Sequence, residues 1–208
     1  MNPESLIFDI DGTLWDARAP IAEAYNLQLA DEGLEHLSVT AEDLLSVFGK
    51  ETWGIADGLF PTVPKPERYD LILRCIDRES RYLAECACDV GYPGVAGTIR
   101  ELAKKYRLFI VSNAETGYPE LCAEKLGIGA WISGSLCYGQ TKTSKGQTIL
   151  RLMAEHNIQS AAYVGDTQGD YEATLEAGIP FIWAAYGYGT PEHYDAKIES
   201  FEELTETL

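Results

Sequence analysis

Hydrophobic and polar positions follow two different rhythms along this chain. Leu6-Ile7-Phe8 and Ile10 form a short apolar run of the kind buried on both faces of a sheet. From about Asp16 to Asp89 the period is helical. Residues 19–32 carry Ile21, Ala24, Tyr25 and Leu29 near helical spacing, and Thr40-Ala41-Glu42-Asp43 opens a short helix with Thr40 as its N-cap. After a break at 49–54, a short helical stretch runs to Phe60 and residues 61–66 form a proline-rich connector. A longer helix is predicted over 67–87, with Leu71, Ile72, Cys75, Ile76, Tyr82 and Leu83 as its apolar stripe. Beyond Tyr92-Pro93-Gly94-Val95 the rhythm changes again. Strands are predicted over 108–111, 131–133, 161–164 and 180–185, between helices over 97–105, 119–126, 145–156, 171–177 and 201–208. This alternation predicts an α/β fold, a Rossmann-like doubly wound parallel sheet with an all-helical domain inserted after the first strand. The core is expected to hold residues 1–15 and 90–208, and the insert residues 16–89.

Polar residues at the strand ends change this picture from architecture to chemistry. A buried apolar strand that finishes in a carboxylate needs a cation to meet it. Asp9 and Asp11 stand two apart, which in an extended chain sends both side chains to one face, at the carboxyl end where open parallel sheets bind ligands. Two carboxylates on one side can share a hard cation such as Mg²⁺ and leave an oxygen of one free to attack a phosphorus atom. The same residues also suit a strand that ends in an ordinary Asp-Gly turn. Another apolar run ends in Gly165-Asp166, with Asp170 four residues on. Asp166 would complete a mainly oxygen-ligand Mg²⁺ site with Asp9 and the backbone carbonyl of Asp11, and Asp170 would ligate directly or through water, or orient a neighbour. A helix N-cap followed by a first-turn acid accounts for the same pair. Ser112-Asn113 closes a third strand, where a hydroxyl and a backbone N–H can hold a phosphoryl oxygen, or simply start a loop.

Taken together, these motifs resemble those of the haloacid dehalogenase-like superfamily. Asp9-Ile10-Asp11-Gly12-Thr13 is similar to its first motif, Ser112 to its second and Gly165-Asp166-Thr167-x-x-Asp170 to its fourth. The third is a lysine, for which both Lys142 and Lys145 stand in range. Lys145 is preferred because it opens the helix that carries Ile149 and Leu152. The resemblance implies that Asp9 is a nucleophile and Asp11 a general acid and then base. Ser112, Asn113 and Lys145 would bind the phosphoryl group, and Asp9, Asp11, Asp166 and Asp170 the Mg²⁺. It makes the helical insert a cap, from which Lys50 is the candidate for gripping the leaving group. Residues 182–189 resemble the last strand and loop of phosphoglycolate phosphatase-like members. The implied activity is Mg²⁺-dependent hydrolysis of a small phosphate monoester through an aspartyl-phosphate. Haloacid dehalogenases of this fold lack a carboxylate where Asp11 stands, and β-phosphoglucomutase-like members usually carry Glu-Asp where this chain has Gly165-Asp166. A phosphosugar mutase and a non-catalytic phospholigand-binding protein remain as alternative readings.

Composition bounds the partners. There are 33 acidic residues against 16 basic ones, a formal charge of −17, which argues against nucleic acid or an anionic membrane surface. An anionic substrate therefore needs a locally reversed field. No apolar run approaches the length of a membrane span and the N-terminus does not read as a secretory signal, so a cytoplasmic protein acting on a small phosphorylated metabolite is expected. The five cysteines are scattered, and all are expected to be reduced thiols.

Overall fold

A computed structural model describes residues 3–208. Six strands, β1 (Ser5–Phe8), β2 (Arg107–Ser112), β3 (Ile132–Cys137), β4 (Ala161–Gly165), β5 (Phe181–Ala184) and β6 (Ala196–Ile198), form one sheet in the order β3-β2-β1-β4-β5-β6. Every pairing is parallel. Phe8 at the end of β1 lies opposite Ile110 on one side and Val164 on the other. The chain builds outward from β1 through β2 to β3 and then restarts at β4 on the opposite side of β1. The reversal opens a crevice beyond the carboxyl ends of β1 and β4.

The chain divides into two compact units, Met1–Asp16 with Gly91–Leu208, and Ala17–Val90. The second is helical, built from α1 (Arg18–Asp31), α2 (Ala41–Leu45), α3 (Thr52–Leu59) and α4 (Lys65–Glu85). Helices α1 and α4 pack together and bury Ile21, Ala24, Tyr25 and Leu29 from one and Leu71, Ile72, Cys75 and Leu83 from the other. Thr40 and Asp43 satisfy each other's backbone N–H groups at the start of α2, a complete capping box. Arg74 binds Glu32 through Nε and Nη2, each at 2.7 Å, so the arginines of α4 serve ion pairs within this unit.

The first unit adds α5 (Val95–Leu102), α6 (Tyr118–Lys125), α7 (Tyr138–Thr141), α8 (Lys145–Glu155), α9 (Gln168–Ala177) and α10 (Leu204–Thr207). Alternation along the strands divides the core. Ile7, Phe109, Val111, Tyr163 and Phe181 cluster with Ile149 and Leu152 of α8 and Ala173 of α9. Phe8 points the other way, with its ring 5.7 Å from that of Phe201.

Several elements depart from the sequence expectation. Helix α4 starts at Lys65 because a proline in the first turn, here Pro66, costs no hydrogen bond. Thr167 caps α9, which therefore begins at Gln168 rather than Tyr171. Gly134 and Ser135 hide half of β3, an edge strand that needs no continuous apolar run. Strand β6 and helix α7 are too short to leave a periodic signal. The expectation that all five cysteines are reduced is corrected. Cys86 and Cys88, just beyond the end of α4, form a disulfide with their Cα atoms 5.3 Å apart, while Cys75, Cys122 and Cys137 are free.

Ser5 in β1 is fully buried and its Oγ has no hydrogen-bond partner among the described residues. An unsatisfied buried hydroxyl costs stability, so Ser5→Ala is expected to raise unfolding free energy by up to about 1 kcal/mol. A denaturant titration checks it, and a lower midpoint would contradict it.

Candidate active site

The strand ends of the first unit bring together most of the residues singled out above. Asp9 follows β1 directly, and its backbone N–H donates to Val164 O at 2.9 Å, which carries the carboxylate beyond the sheet edge. Asp166 follows β4, and Asp170 sits in the first turn of α9. Lys145 opens α8 under a Ser144 cap and donates from Nζ to Asp9 Oδ1 at 2.9 Å and to Asp170 Oδ1 at 2.7 Å. Its side chain is only 6% exposed, so these are desolvated ion pairs. Lys142 is placed elsewhere, in left-handed backbone after α7. Its Nζ binds Glu115 at 3.0 Å, and its side chain is 54% exposed.

Each carboxylate has its own set of donors. Asp170 Oδ2 accepts from the Asp166 and Thr167 N–H groups at 3.2 and 3.0 Å and from the Thr167 hydroxyl at 2.8 Å. With Oδ1 on Lys145, Asp170 ties that lysine to the start of α9. Asp166 Oδ2 accepts from the Tyr188 N–H at 2.7 Å, and Thr13 Oγ1 lies 3.4 Å from Oδ1. Backbone closes tightly around Asp166 because two glycines permit it. Gly12 has φ +82°, and a Cβ there would lie 2.3 Å from Asp166 Oδ2, while one on Gly187 would lie 2.4 Å from Asp166 Cβ. Asp11 Oδ1 accepts from Trp15 Nε1 and from the Tyr118 hydroxyl, both at 2.9 Å. Ser112 is buried, its Oγ accepting from the Ala114 N–H at 3.2 Å, and half-buried Asn113 lies beside it.

The electrostatics follow from these contacts. Burial pushes Asp9 up to about 7, against the opposing pull of Lys145. Loss of hydration raises Asp11 to about 6, opposed by the hydrogen bonds from Trp15 and Tyr118. Burial and then the charges of Asp170 and Asp9 hold Asp166 well above the usual carboxylate range. Burial also works against ionised Asp170, but the charge and hydrogen bond of Lys145 overcome it and leave the group below its ordinary value. Burial alone would lower Lys145, and Asp170 and Asp9 more than reverse that.

One lysine thus leaves the cluster short of positive charge. Carboxylate oxygens of Asp9, Asp166 and Asp170 all lie within 4.8 Å of one another. An all-oxygen donor set with uncompensated negative charge fits a hard divalent cation. Lys50 belongs to the helical unit, where it is exposed and donates to Ser46 O at 3.0 Å. Thr13 belongs to the motif that begins at Asp9 and Tyr188 to the 182–189 stretch, whereas Trp15 and Tyr118 are contacts that the sequence does not point to. The Tyr186-Gly187-Tyr188-Gly189 stretch offers a glycine signal for a loop edging the crevice, whereas Tyr118 is 107 residues from Asp11 and carries none.

Residues 6–184 match the haloacid dehalogenase-like hydrolase family. A phosphoglycolate phosphatase from Agrobacterium fabrum is 26% identical, over 97% of this chain and 91% of its own. An N-acetylmuramic acid 6-phosphate phosphatase from Pseudomonas putida is 24% identical, over 92% and 87%. A crystal structure of a predicted phosphoglycolate phosphatase from Haemophilus somnus superposes with a TM-score of 0.83 at 21% identity, covering 98% of this chain and 96% of that one.

Proposed function

The chain belongs to the haloacid dehalogenase-like hydrolases, and we propose that it is a Mg²⁺-dependent phosphatase that hydrolyses a small phosphate monoester through an aspartyl-phosphate on Asp9. The observation that carries this reading is the pairing of roles at the end of β1: Asp9 is held by a buried lysine at 2.9 Å, and Asp11 by neutral donors. Lys145 opposes protonation of Asp9 and so keeps an oxygen nucleophilic. Attack by that oxygen forms the Asp9–phosphorus bond. The ester P–O bond breaks, and its oxygen takes the electron pair and a proton from the Asp11 carboxyl. Asp11 then accepts a proton from a water whose oxygen attacks phosphorus, releasing phosphate and restoring Asp9. Ser112, Asn113 and Lys145 hold the phosphoryl oxygens as negative charge accumulates. The carboxylates of Asp9 and Asp166 and the backbone carbonyl of Asp11 would hold Mg²⁺ with Asp170 in support, and the ion would supply charge neutralisation for the phosphoryl group.

Gly165 favours hydrolase over phosphosugar mutase. A Cβ at this position would lie 2.7 Å from Asp170 Cγ, so the side chain usual in the mutases would displace the partner of Lys145. The helical residues 16–89 serve in this reading as a cap that selects the leaving group, with Lys50 as its reaching cation. The two relatives named above are called after esters of different size, a difference that such a cap would govern. Phosphate release from a panel of alkyl, sugar and aryl phosphates, with Mg²⁺ and with chelator, tests the proposal. Release that requires Mg²⁺ is expected, and no release from any ester would overturn it.

The acidic cluster also predicts a linked pH dependence. Asp9 has a folded value near 7 against 3.8 when solvated, so the metal-free protein binds more protons than its unfolded chain between those values. Its contribution to stability is therefore lost as pH rises from about 4 to 7. A cation must displace the same proton, so the rise in melting temperature caused by Mg²⁺ is expected to grow from pH 5.5 to 7.5. Scanning calorimetry with Mg²⁺ and with EDTA measures this, and a shift independent of pH would contradict it.

A further inference from the structure

We propose that Tyr118, together with Trp15, is a positioning residue that aims Asp11 at the oxygen of the leaving group. This inference rests on the phosphatase reading above. Two donors from distant parts of the chain converge on one oxygen of Asp11. The Trp15 indole N–H and the Tyr118 hydroxyl both reach Oδ1 at 2.9 Å. The two rings also brace each other, edge to face with centroids 5.4 Å apart and planes at 80°. Trp15 is fully buried and Tyr118 is 8% exposed, so neither donor swings freely in solvent. The loop itself is closed by the Gly12 N–H donating to Trp15 O at 3.0 Å, which fixes the backbone that carries Asp11.

The donors to the two carboxylates differ in charge: both sets favour the ionised form, but only Lys145 brings a full positive charge. Asp9 is met by an ammonium, which favours the ionised carboxylate. Asp11 is met by a phenol and an indole, which fix its orientation without adding a positive charge. With Oδ1 held by both, the proton is carried on Oδ2. Transfer then breaks the Oδ2–H bond, forms the bond from hydrogen to the leaving-group oxygen, and leaves the pair on Asp11. Ordinary packing would satisfy a largely buried tyrosine with a backbone carbonyl, as Tyr186 does by donating to Thr13 O at 2.8 Å. Tyr118 instead spends its proton on the carboxylate beside Asp9.

The test exploits the leaving group. An alkoxide must be protonated as it departs, whereas p-nitrophenolate leaves unaided. The quantity read is kcat/KM, which covers only steps up to the first phosphoryl transfer. Tyr118→Phe keeps the ring and removes the hydroxyl. In saturating Mg²⁺ it is expected to lower kcat/KM about 30-fold for the fastest alkyl phosphate of the panel and no more than about 3-fold for p-nitrophenyl phosphate, a part of what general acid catalysis supplies. Trp15→Phe removes the other donor and is expected to shift the ratio in the same direction. Equal losses on the two esters in both variants would overturn the positioning role and leave the phosphatase reading standing. A wild-type protein that cleaves neither ester would overturn both.

Discussion

Asp9→Asn is expected to lower turnover at least about 10⁴-fold, because an amide oxygen cannot form the covalent bond that divides the reaction into two steps. The fold should survive. Burial already works against ionised Asp9, and Asn removes that charge while Lys145 keeps Asp170 at 2.7 Å. The metal-free variant should therefore melt at or above the wild-type temperature at neutral pH. The stabilisation by Mg²⁺ should shrink, since one of the clustered carboxylates is gone. Phosphate release and scanning calorimetry on the same samples measure both. A folded Asp9→Asn protein with wild-type activity would remove Asp9 from the nucleophile role.

The second large effect is at Lys145. Lys145→Ala strips the cation from Asp9 and Asp170, whose side chains are 5% and 0% exposed. Removing one partner of a buried pair costs about 3–5 kcal/mol, so a large loss of stability at pH 7.5 is expected along with loss of turnover. Protonation can neutralise the stranded carboxylates, so the cost should diminish at pH 5.5. Lys142→Ala is the contrasting case. Its bridge to Glu115 lies in solvent, and such pairs contribute at most about 1 kcal/mol. Near-native stability and activity are expected for it. Urea midpoints at the two pH values and a phosphate assay separate the variants, and the opposite pattern would move the phosphoryl-binding role to Lys142.

Much of this arrangement is legible in the order of residues, for a physical reason. A parallel strand buried on both faces must be apolar, so Asp9, Ser112 and Asp166 stand out at the points where such runs stop. The topology then gathers strand ends without reference to what lies between them. Lys145 is separable from Lys142 only through the helix it opens, because Ser144 as cap sets where α8 begins and which residue faces Asp9. What the sequence does not disclose depends on contacts made at long range. Asp170 reads equally as a ligand and as a cap. Only the fold shows that its Oδ2 accepts from three Thr167 and Asp166 donors while Oδ1 meets Lys145. Tyr118 looks like any aromatic at a helix start until α6 is set against the loop after β1. Strand β3 is half hidden because an edge strand tolerates Gly134 and Ser135, and no spacing rule for metal or disulfide cysteines points to the Cys86–Cys88 pairing.

The most direct test of the central claim is the mass of the protein itself during turnover. Wild-type protein mixed with p-nitrophenyl phosphate and Mg²⁺ is quenched in acid, which preserves an acyl phosphate, and the intact chain and its N-terminal peptide are weighed. The account predicts a fraction heavier by one phosphoryl group, located on Asp9, absent with chelator and absent in Asp9→Asn. Steady release of phosphate with no such adduct on the wild type, or the same adduct on Asp9→Asn, would contradict it.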